Sequence, residues 1–450
     1  MAAVTATAAG LPSEATTDAG DAVGSGKLTA ASGAATVGIP MNRTRAEEIL
    51  EREGLDALVL GQGINVYHAS GFWPLTSRMG HSPNTFAIVT RRKSQPLSLV
   101  LPSFTYYYLL ADIHRSDDFP AYVYTSPADE EGPDGAPLAA PFALFPDRDA
   151  VPLDAIESRR GSLTAFAEQG VGLSADAKLA LAKALKDLGL TKARIAVDHQ
   201  NVHALVTESA PGATLVDADD ALRRIRPIKS DHEIALMRRA ATNNAEAALA
   251  AAYAVRAGAS YRDLRNLFYA EAARRGNKGV FMVVDRVSAE QYDAPFRDGQ
   301  AFLIDAVSEF GGYHGDYGRT IFLGEPTRPM AQAVAAIGTA WDEIRHALKP
   351  GMRFSEIGAL GQQTLKKLGG NYIVPFGPHS VGLYHTDHVG NAGAAAFRED
   401  HVLEKGMILS VDCPLLESGM GGSAHLEDLM LITENGSEPI NDVGDQVIII

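Results

Sequence analysis

The stretch from Gln300 to Gly324, read as QAFLIDAVSEFGGYHGDYGRTIFLG, constrains this chain more than any other. Two carboxylates, Asp305 and Asp316, stand in it eleven positions apart. Asp305 closes the apolar run Ala301-Phe302-Leu303-Ile304, which reads as a buried strand. Gly311-Gly312 signals a turn, and Tyr313 to Phe322 reads as a second strand rich in β-formers. Two antiparallel neighbours joined by a short turn can bring both Asp side chains to one point. Buried carboxylates need partners, and two together repel unless a cation sits between them. Taken alone, the stretch also admits a plainer reading, in which Asp305 caps a turn and Asp316 pairs with Arg319.

Three further candidate ligands stand at the ends of apolar segments downstream. His379 lies in Pro375-Phe-Gly-Pro-His-Ser-Val-Gly-Leu383, Asp412 ends the run Met407 to Val411, and Glu427 sits in His425 to Ile432. Asp305, Asp316, His379, Asp412 and Glu427 form a hard, oxygen-rich set with one imidazole. Such a set suits two divalent cations, Mn²⁺ or Co²⁺ first and Zn²⁺ or Fe²⁺ next, better than a structural zinc, which prefers sulfur and nitrogen.

The order of these residues resembles the prolidase, aminopeptidase P and methionine aminopeptidase family of pita-bread metallohydrolases. The first pair stands as Ile304-Asp305 followed by Gly312-Tyr313-His314-Gly315-Asp316-Tyr317-Gly318-Arg319-Thr320. The third motif stands as His379-Ser380-Val381-Gly382-Leu383, the fourth as Gly406-Met407 leading to Asp412, and the fifth as Glu427-Asp428. The resemblance covers most of the chain from Arg226 onward. Arg226-x-x-Lys229-Ser230-x-x-Glu233-Ile234 resembles the family's entry into the catalytic domain. A helix over Arg43 to Arg52, the strand Leu55 to Leu60 and the segment Asn65 to Phe72 resemble the N-terminal domain of creatinase and prolidase.

Together these imply an α/β N-terminal domain plus an α+β pita-bread catalytic domain, with a curved antiparallel sheet and pseudo-twofold symmetry. The expected boundaries are a disordered tail over residues 1–40, an N-terminal domain over 41–226 and a catalytic domain over 227–450. The tail is Ala, Gly, Ser and Thr with scattered acids. Residues 126 to 150 read as a long loop, and helices are expected over Ala175–Leu188, Glu233–Val255, Tyr261–Arg275, Trp341–Leu348 and Phe354–Leu368. The chain has 450 residues, 46% of them hydrophobic, which is ample for two cores. Its net charge of −15 argues against nucleic acid and anionic membrane surfaces as partners. No window reaches the roughly 18 apolar residues of a membrane span. The single cysteine, Cys413, excludes an internal disulfide and fits a reducing, cytoplasmic setting. The family also implies a homodimer, in which a second copy's N-terminal domain can line the cleft, making Phe72-Trp73 and Tyr106-Tyr107-Tyr108 candidates for that wall.

By the resemblance, Asp305 binds one metal, Asp316 and Glu427 bridge, and His379 and Asp412 bind the other. The implied reaction is hydrolysis of an amide bond in a small peptide, that of an Xaa-Pro dipeptidase or aminopeptidase. The chain departs from the peptidase pattern at several points. Asp412 replaces a Glu, His425 replaces an Arg, and Pro375, Thr386 and the region of Ser288 lack the expected His. These departures leave a non-peptidase enzyme of the same fold as the alternative, either a creatinase-like amidinohydrolase or a metal-dependent lyase. A binding module without catalysis is the third class, and five intact ligand-type positions argue against it. For proton transfer the chain offers His385, which Gly382 allows to fold back toward His379, with His388 as runner-up. His314 reads as a neighbour of the site rather than a ligand, and Cys413 as a small core residue on the face opposite Asp412.

Overall fold

The computed structural model describes residues 38–112, 119–132, 137–140, 150–158, 172–388, 399–441 and 443–450. Nearly all of the expected tail, and part of the expected loop over residues 126–150, lie outside these. Within the described part of that loop the chain forms a two-stranded ribbon.

The first sheet takes its strands from the N-terminal half: β1 (Ala57–Leu60), β2 (Phe86–Thr90), β3 (Leu97–Pro102) and β4 (Ala121–Tyr124), then, after the ribbon strands β5 (Pro127–Glu131) and β6 (Pro137–Ala139), β7 (Arg194–Val197) and β8 (Thr214–Asp217). Their order is β4-β3-β2-β1-β7-β8, with β1, β7 and β8 parallel to one another. A strand buried on both faces must be apolar throughout. Strand β1 shows this: Leu58 and Leu60 enter one core with Ile49 and Leu50 of the helix Arg43–Arg52. Ala57 and Val59 enter the other with Leu181 and Leu185 of the helix Ala177–Asp187.

Beyond Pro227 the helix Asp231–Ala254 opens with a capping box between Ser230 and Glu233. Its buried face is almost all alanine, from Ala240 to Ala252. Small side chains let it lie close on β10 (Ala301–Phe310) and β11 (Tyr313–Phe322), which follow β9 (Lys278–Val284). The approach is tight at Gly315, where a Cβ would come 2.7 Å from Ala240 O and 2.9 Å from Ala241 Cα. Asn244 fixes the contact: its Nδ2 donates to Ala306 O at 2.7 Å and its Oδ1 accepts from Ser308 Oγ at 2.7 Å. A second sheet, β12 (Gly377–Ser380), β13 (Ile408–Asp412), β14 (Met430–Ile432) and β15 (Ser437–Pro439), is antiparallel in chain order. The last strand, β16 (Val447–Ile449), returns to lie parallel to β11.

Arg319 and Thr320 on β11 join the two sheets. The Arg319 guanidinium donates to Glu427 O at 2.9 Å and to Asp428 Oδ1 at 2.8 Å, and Thr320 Oγ1 donates to His425 O at 2.9 Å. Arg319 is thereby taken by Asp428, so the plainer pairing of Asp316 with Arg319 does not occur. Two expected element ends also differ. Strand β10 does not stop at Asp305 but runs on to Phe310. The helix expected at Trp341 begins at Arg328, capped by Thr327 with Pro329 in its first turn, where proline loses no intrahelical hydrogen bond.

One buried ion pair ties the end of the first half to the second. Arg226 donates from Nη1 to Asp387 Oδ1 at 3.2 Å and from Nη2 to Asn65, and both members of the pair are nearly inaccessible. Lys229 stands beside Asp387 next to Gly382 and donates to Arg226 O at 2.7 Å. Arg226→Ala leaves the Asp387 carboxylate without its ion-pair partner. Removing one partner of a buried pair costs about 3–5 kcal/mol, so urea denaturation of this variant should show about 3 kcal/mol less unfolding free energy.

Candidate metal centre

The register of β10 and β11 pairs Asp305 with Gly318 and Val307 with Asp316. Directly opposed residues share a face, as do residues two apart on one strand. Asp305 and Asp316 are therefore diagonal neighbours on one face, and Gly315 turns the other face to the alanine helix. Strands β12 and β13 repeat the arrangement: His379 faces Ser410, and Asp412 faces Gly377. His379 and Asp412 are again diagonal, and in both strand pairs a glycine stands opposite one Asp, Gly318 opposite Asp305 and Gly377 opposite Asp412. This is the pseudo-twofold relation written in the site itself. Glu427 enters from a third segment, whose backbone pairs with Gly318 in both directions, at 3.1 and 3.2 Å.

These residues converge. Among the described residues three groups place one ligand atom from each member within 4.8 Å of the others: Asp305, Asp316 and Glu427; His379, Asp412 and Glu427; and Asp316, His379 and His385. His379 Nε2 lies 3.6 Å from Asp316 Oδ2, 3.6 Å from Asp412 Oδ2 and 3.5 Å from Glu427 Oε1. Asp316 and Glu427 are fully buried. Asp305 Oδ1, both oxygens of Asp316 and both ring nitrogens of His379 are buried without a hydrogen-bond partner. Orphaned acceptors on clustered carboxylates are what a bound cation satisfies, so the donor set fits divalent metal.

The electrostatics point the same way. Burial, with Glu427 next in effect, pushes Asp305 up to about 6, Asp412 up to about 7 and Asp316 well above the usual carboxylate range. Burial works against ionised Glu427 as well, but the imidazoles of His379, 3.5 Å away, and of His425, 3.0 Å away, hold it well below that range. Burial would depress His379, yet Glu427, Asp316 and Asp412 lift it to about 10. Without a cation, protons stand in for one.

Of the two histidines expected to move protons, His385 returns to the cluster, its Nε2 3.2 Å from Asp316 Oδ2 and its ring edge-on to Phe281. His388 is not brought there: its Nδ1 accepts from Ser380 N at 3.2 Å and its ring meets Phe354 and His401. His314 turns aside, its Nδ1 3.1 Å from Gly382 O. Cys413 is buried in the core with Val411 and Leu415, behind Asp412. Tyr106 and Tyr107 are buried in the first half, with Tyr108 partly exposed on the same helix. One residue at the cluster was not among the expected ligands. His425 is buried, with Nε2 3.0 Å from Glu427 Oε2 and 3.7 Å from Asp412 Oδ1. The only local signal for it is its position two residues before Glu427, which puts both side chains on one face of an extended segment.

Comparison with known proteins matches residues 235–434 to the model of metallopeptidase family M24, and residues 43–228 to that of the creatinase/prolidase N-terminal domain. A probable dipeptidase PepE of Mycobacterium tuberculosis is 27% identical over 259 residues, which is 55% of this chain and 68% of that protein. An Xaa-Pro dipeptidase of Pyrococcus furiosus is 25% identical over 232 residues, 49% of this chain and 64% of that protein. Among solved structures, an Xaa-Pro dipeptidase from Bacillus anthracis superposes with a TM-score of 0.64 at 18% identity, over 91% of this chain and 99% of that one. A dipeptidase from Pyrococcus horikoshii gives 0.66 at 17%, over 91% and 100%. These likenesses show the pita-bread fold with its creatinase-type N-terminal domain.

A divalent cation at about a hundred times its Kd should stabilise metal-stripped protein by about 2.7 kcal/mol per site. Urea denaturation with and without Mn²⁺ reads this. The gain should shrink as pH falls through about 7 and then 6, where Asp412 and Asp305 take up protons that the cation must displace. No stabilisation at any pH would contradict a cation site.

Proposed function

The chain belongs to metallopeptidase family M24, and on that footing we propose that it is a two-metal peptidase that hydrolyses small peptides, Xaa-Pro dipeptides first among them. The observation that carries this reading is the convergence of four acids and one imidazole around oxygens that nothing in the protein satisfies. In this reading Asp305 would hold one cation and His379 and Asp412 the other, with Asp316 and Glu427 shared between them. When bound, two cations would supply Lewis acidity to the scissile carbonyl and a reactive water at neutral pH.

The chain's own residues do the rest. Ser410 Oγ donates to Glu427 Oε1 and keeps that carboxylate turned into the cluster. His385 is depressed below the usual imidazole range, mainly by burial, so at neutral pH it is uncharged and able to take a proton. With its Nε2 3.2 Å from Asp316 Oδ2, it would take a proton from the attacking water or pass one to the departing amine. The cleft beside Asp305 and Asp412 has a volume of about 270 Å³ and is walled by Val283, Leu303, Pro414 and Leu416, with Arg286 at the same wall. A small apolar side chain such as proline fits that lining. A metal-free, creatinase-like chemistry fits less well, because it leaves the Asp316 oxygens buried without partners.

Chelation should abolish cleavage of Xaa-Pro dipeptides and Mn²⁺ or Co²⁺ should restore it; full activity in protein verified to be metal-free would contradict the assignment. Asp412→Ala should lose at least one cation per chain, and Asp412→Glu should lower turnover, because the longer side chain reaches one methylene further into the cluster. His385→Ala should keep its cations and slow turnover by at least about 10²-fold, the low end of general acid–base effects. Unmutated turnover in that variant would remove His385 from proton transfer.

A further inference from the structure

The environment of His425 differs from that of an ordinary buried histidine. It belongs to none of the three ligand groups above, yet it mirrors His379 across the cluster. Asp412 and Glu427 each turn one oxygen to each imidazole. Asp412 Oδ2 and Glu427 Oε1 face His379 Nε2, at 3.6 and 3.5 Å. Asp412 Oδ1 and Glu427 Oε2 face His425 Nε2, at 3.7 and 3.0 Å. Two carboxylates held between two imidazoles in this way present two mixed nitrogen and oxygen faces.

The room for the second imidazole is made elsewhere in the chain. The β11 residue opposite Asp305 is Gly318, and a Cβ there would lie 2.3 Å from His425 Cδ2 and 2.6 Å from its Nε2. The ring therefore fills the space over Gly318, on the side of the cluster where Asp305 stands. Asp305, Asp412 and His425 line the same cleft. The backbone is pinned as well: His425 N donates to Thr320 Oγ1 and Thr320 Oγ1 to His425 O, both at 2.9 Å. The ring's Nδ1 is buried without a hydrogen bond, so no protein group competes for its proton.

We propose that His425 is a protein ligand in its own right, coordinating through Nε2 the cation held by Asp305 and Glu427, so that each cation has one imidazole. This rests on the two-metal reading above and goes beyond it, because the oxygen-only half of the expected set becomes a mixed site. Imidazole suits Zn²⁺, Fe²⁺ and Co²⁺ more than Mn²⁺, so the second site should discriminate against manganese. The competing role is positional: His425 donates to Glu427 Oε2 and merely orients that carboxylate.

His425→Gln separates the two, since its amide can donate to Glu427 but is a poor ligand for these cations, and His425→Ala removes both capacities. The probe is Co²⁺ added to the metal-stripped full chain, with folding checked by circular dichroism. Elemental analysis after dialysis counts the cobalt, and proton NMR counts the strongly shifted, solvent-exchangeable imidazole resonances. The expected result is two cobalt ions in the unmutated protein, one in both variants, and one fewer shifted resonance in each. Two cobalt ions with an unchanged resonance count in His425→Gln would overturn direct ligation. An unmutated protein that takes up no second cobalt would overturn the two-metal reading and this inference with it. X-ray absorption at the cobalt edge of the unmutated, fully loaded protein needs no variant. It should count one imidazole per cobalt, and one per two cobalt ions would refute the proposal.

Discussion

Four carboxylates buried against one another are the central constraint on this molecule. Asp305, Asp316, Asp412 and Glu427 lie within a few ångströms, and Asp316 and Glu427 have no contact with solvent. Taking one charge into a protein interior costs several kcal/mol, and like charges add to it. The fold meets this cost by holding Asp305, Asp316 and Asp412 on strands and Glu427 on a segment bridged to Gly318, so that a cation finds them already converged. The two strand pairs present their ligands by the same geometry, a diagonal across an antiparallel ladder with glycine opposite Asp305 in one and Asp412 in the other. The space that Gly318 leaves is occupied by His425.

The surrounding packing follows from that need. The helix Asp231–Ala254 is alanine on its buried side because β11 must lie close beneath it at Gly315. Arg319 spends its guanidinium on Asp428 and on backbone carbonyls at the seam of the two sheets, where it fixes the segment carrying Glu427. Arg226 does the same for the segment carrying His385, through Asp387. Each cation lies one step behind the cluster and neutralises an acid that would otherwise add to the central negative charge.

The strand ending at Phe322, the turn at Gly311-Gly312 and the five candidate ligands were legible in the sequence, because alternation, turn glycines and the order of motifs are local signals. What escaped was set by distant partners. Strand β10 was expected to stop at Asp305, since a carboxylate in a buried strand looks like an end; it continues because the acid faces a cluster of its own kind. The helix over Arg328–Ala347 hid its first half behind Pro329 and Gly338. The choice between His385 and His388 depends on the path of the loop. Asp387 between them is tied to Arg226, 161 positions upstream. His425 stood out in the sequence only as a departure from the family's Arg, because its place at the cluster depends on the absence of a side chain at Gly318.

The most direct test of the account is a crystal structure of the protein grown with Co²⁺, with diffraction recorded on both sides of the cobalt absorption edge. The account predicts two anomalous peaks about 3.5–4 Å apart, one near His379 and Asp412 and the other near Asp305, with Glu427 and Asp316 between them. Full-occupancy crystals with no anomalous peak at this cluster, or with cobalt bound only elsewhere, would contradict it.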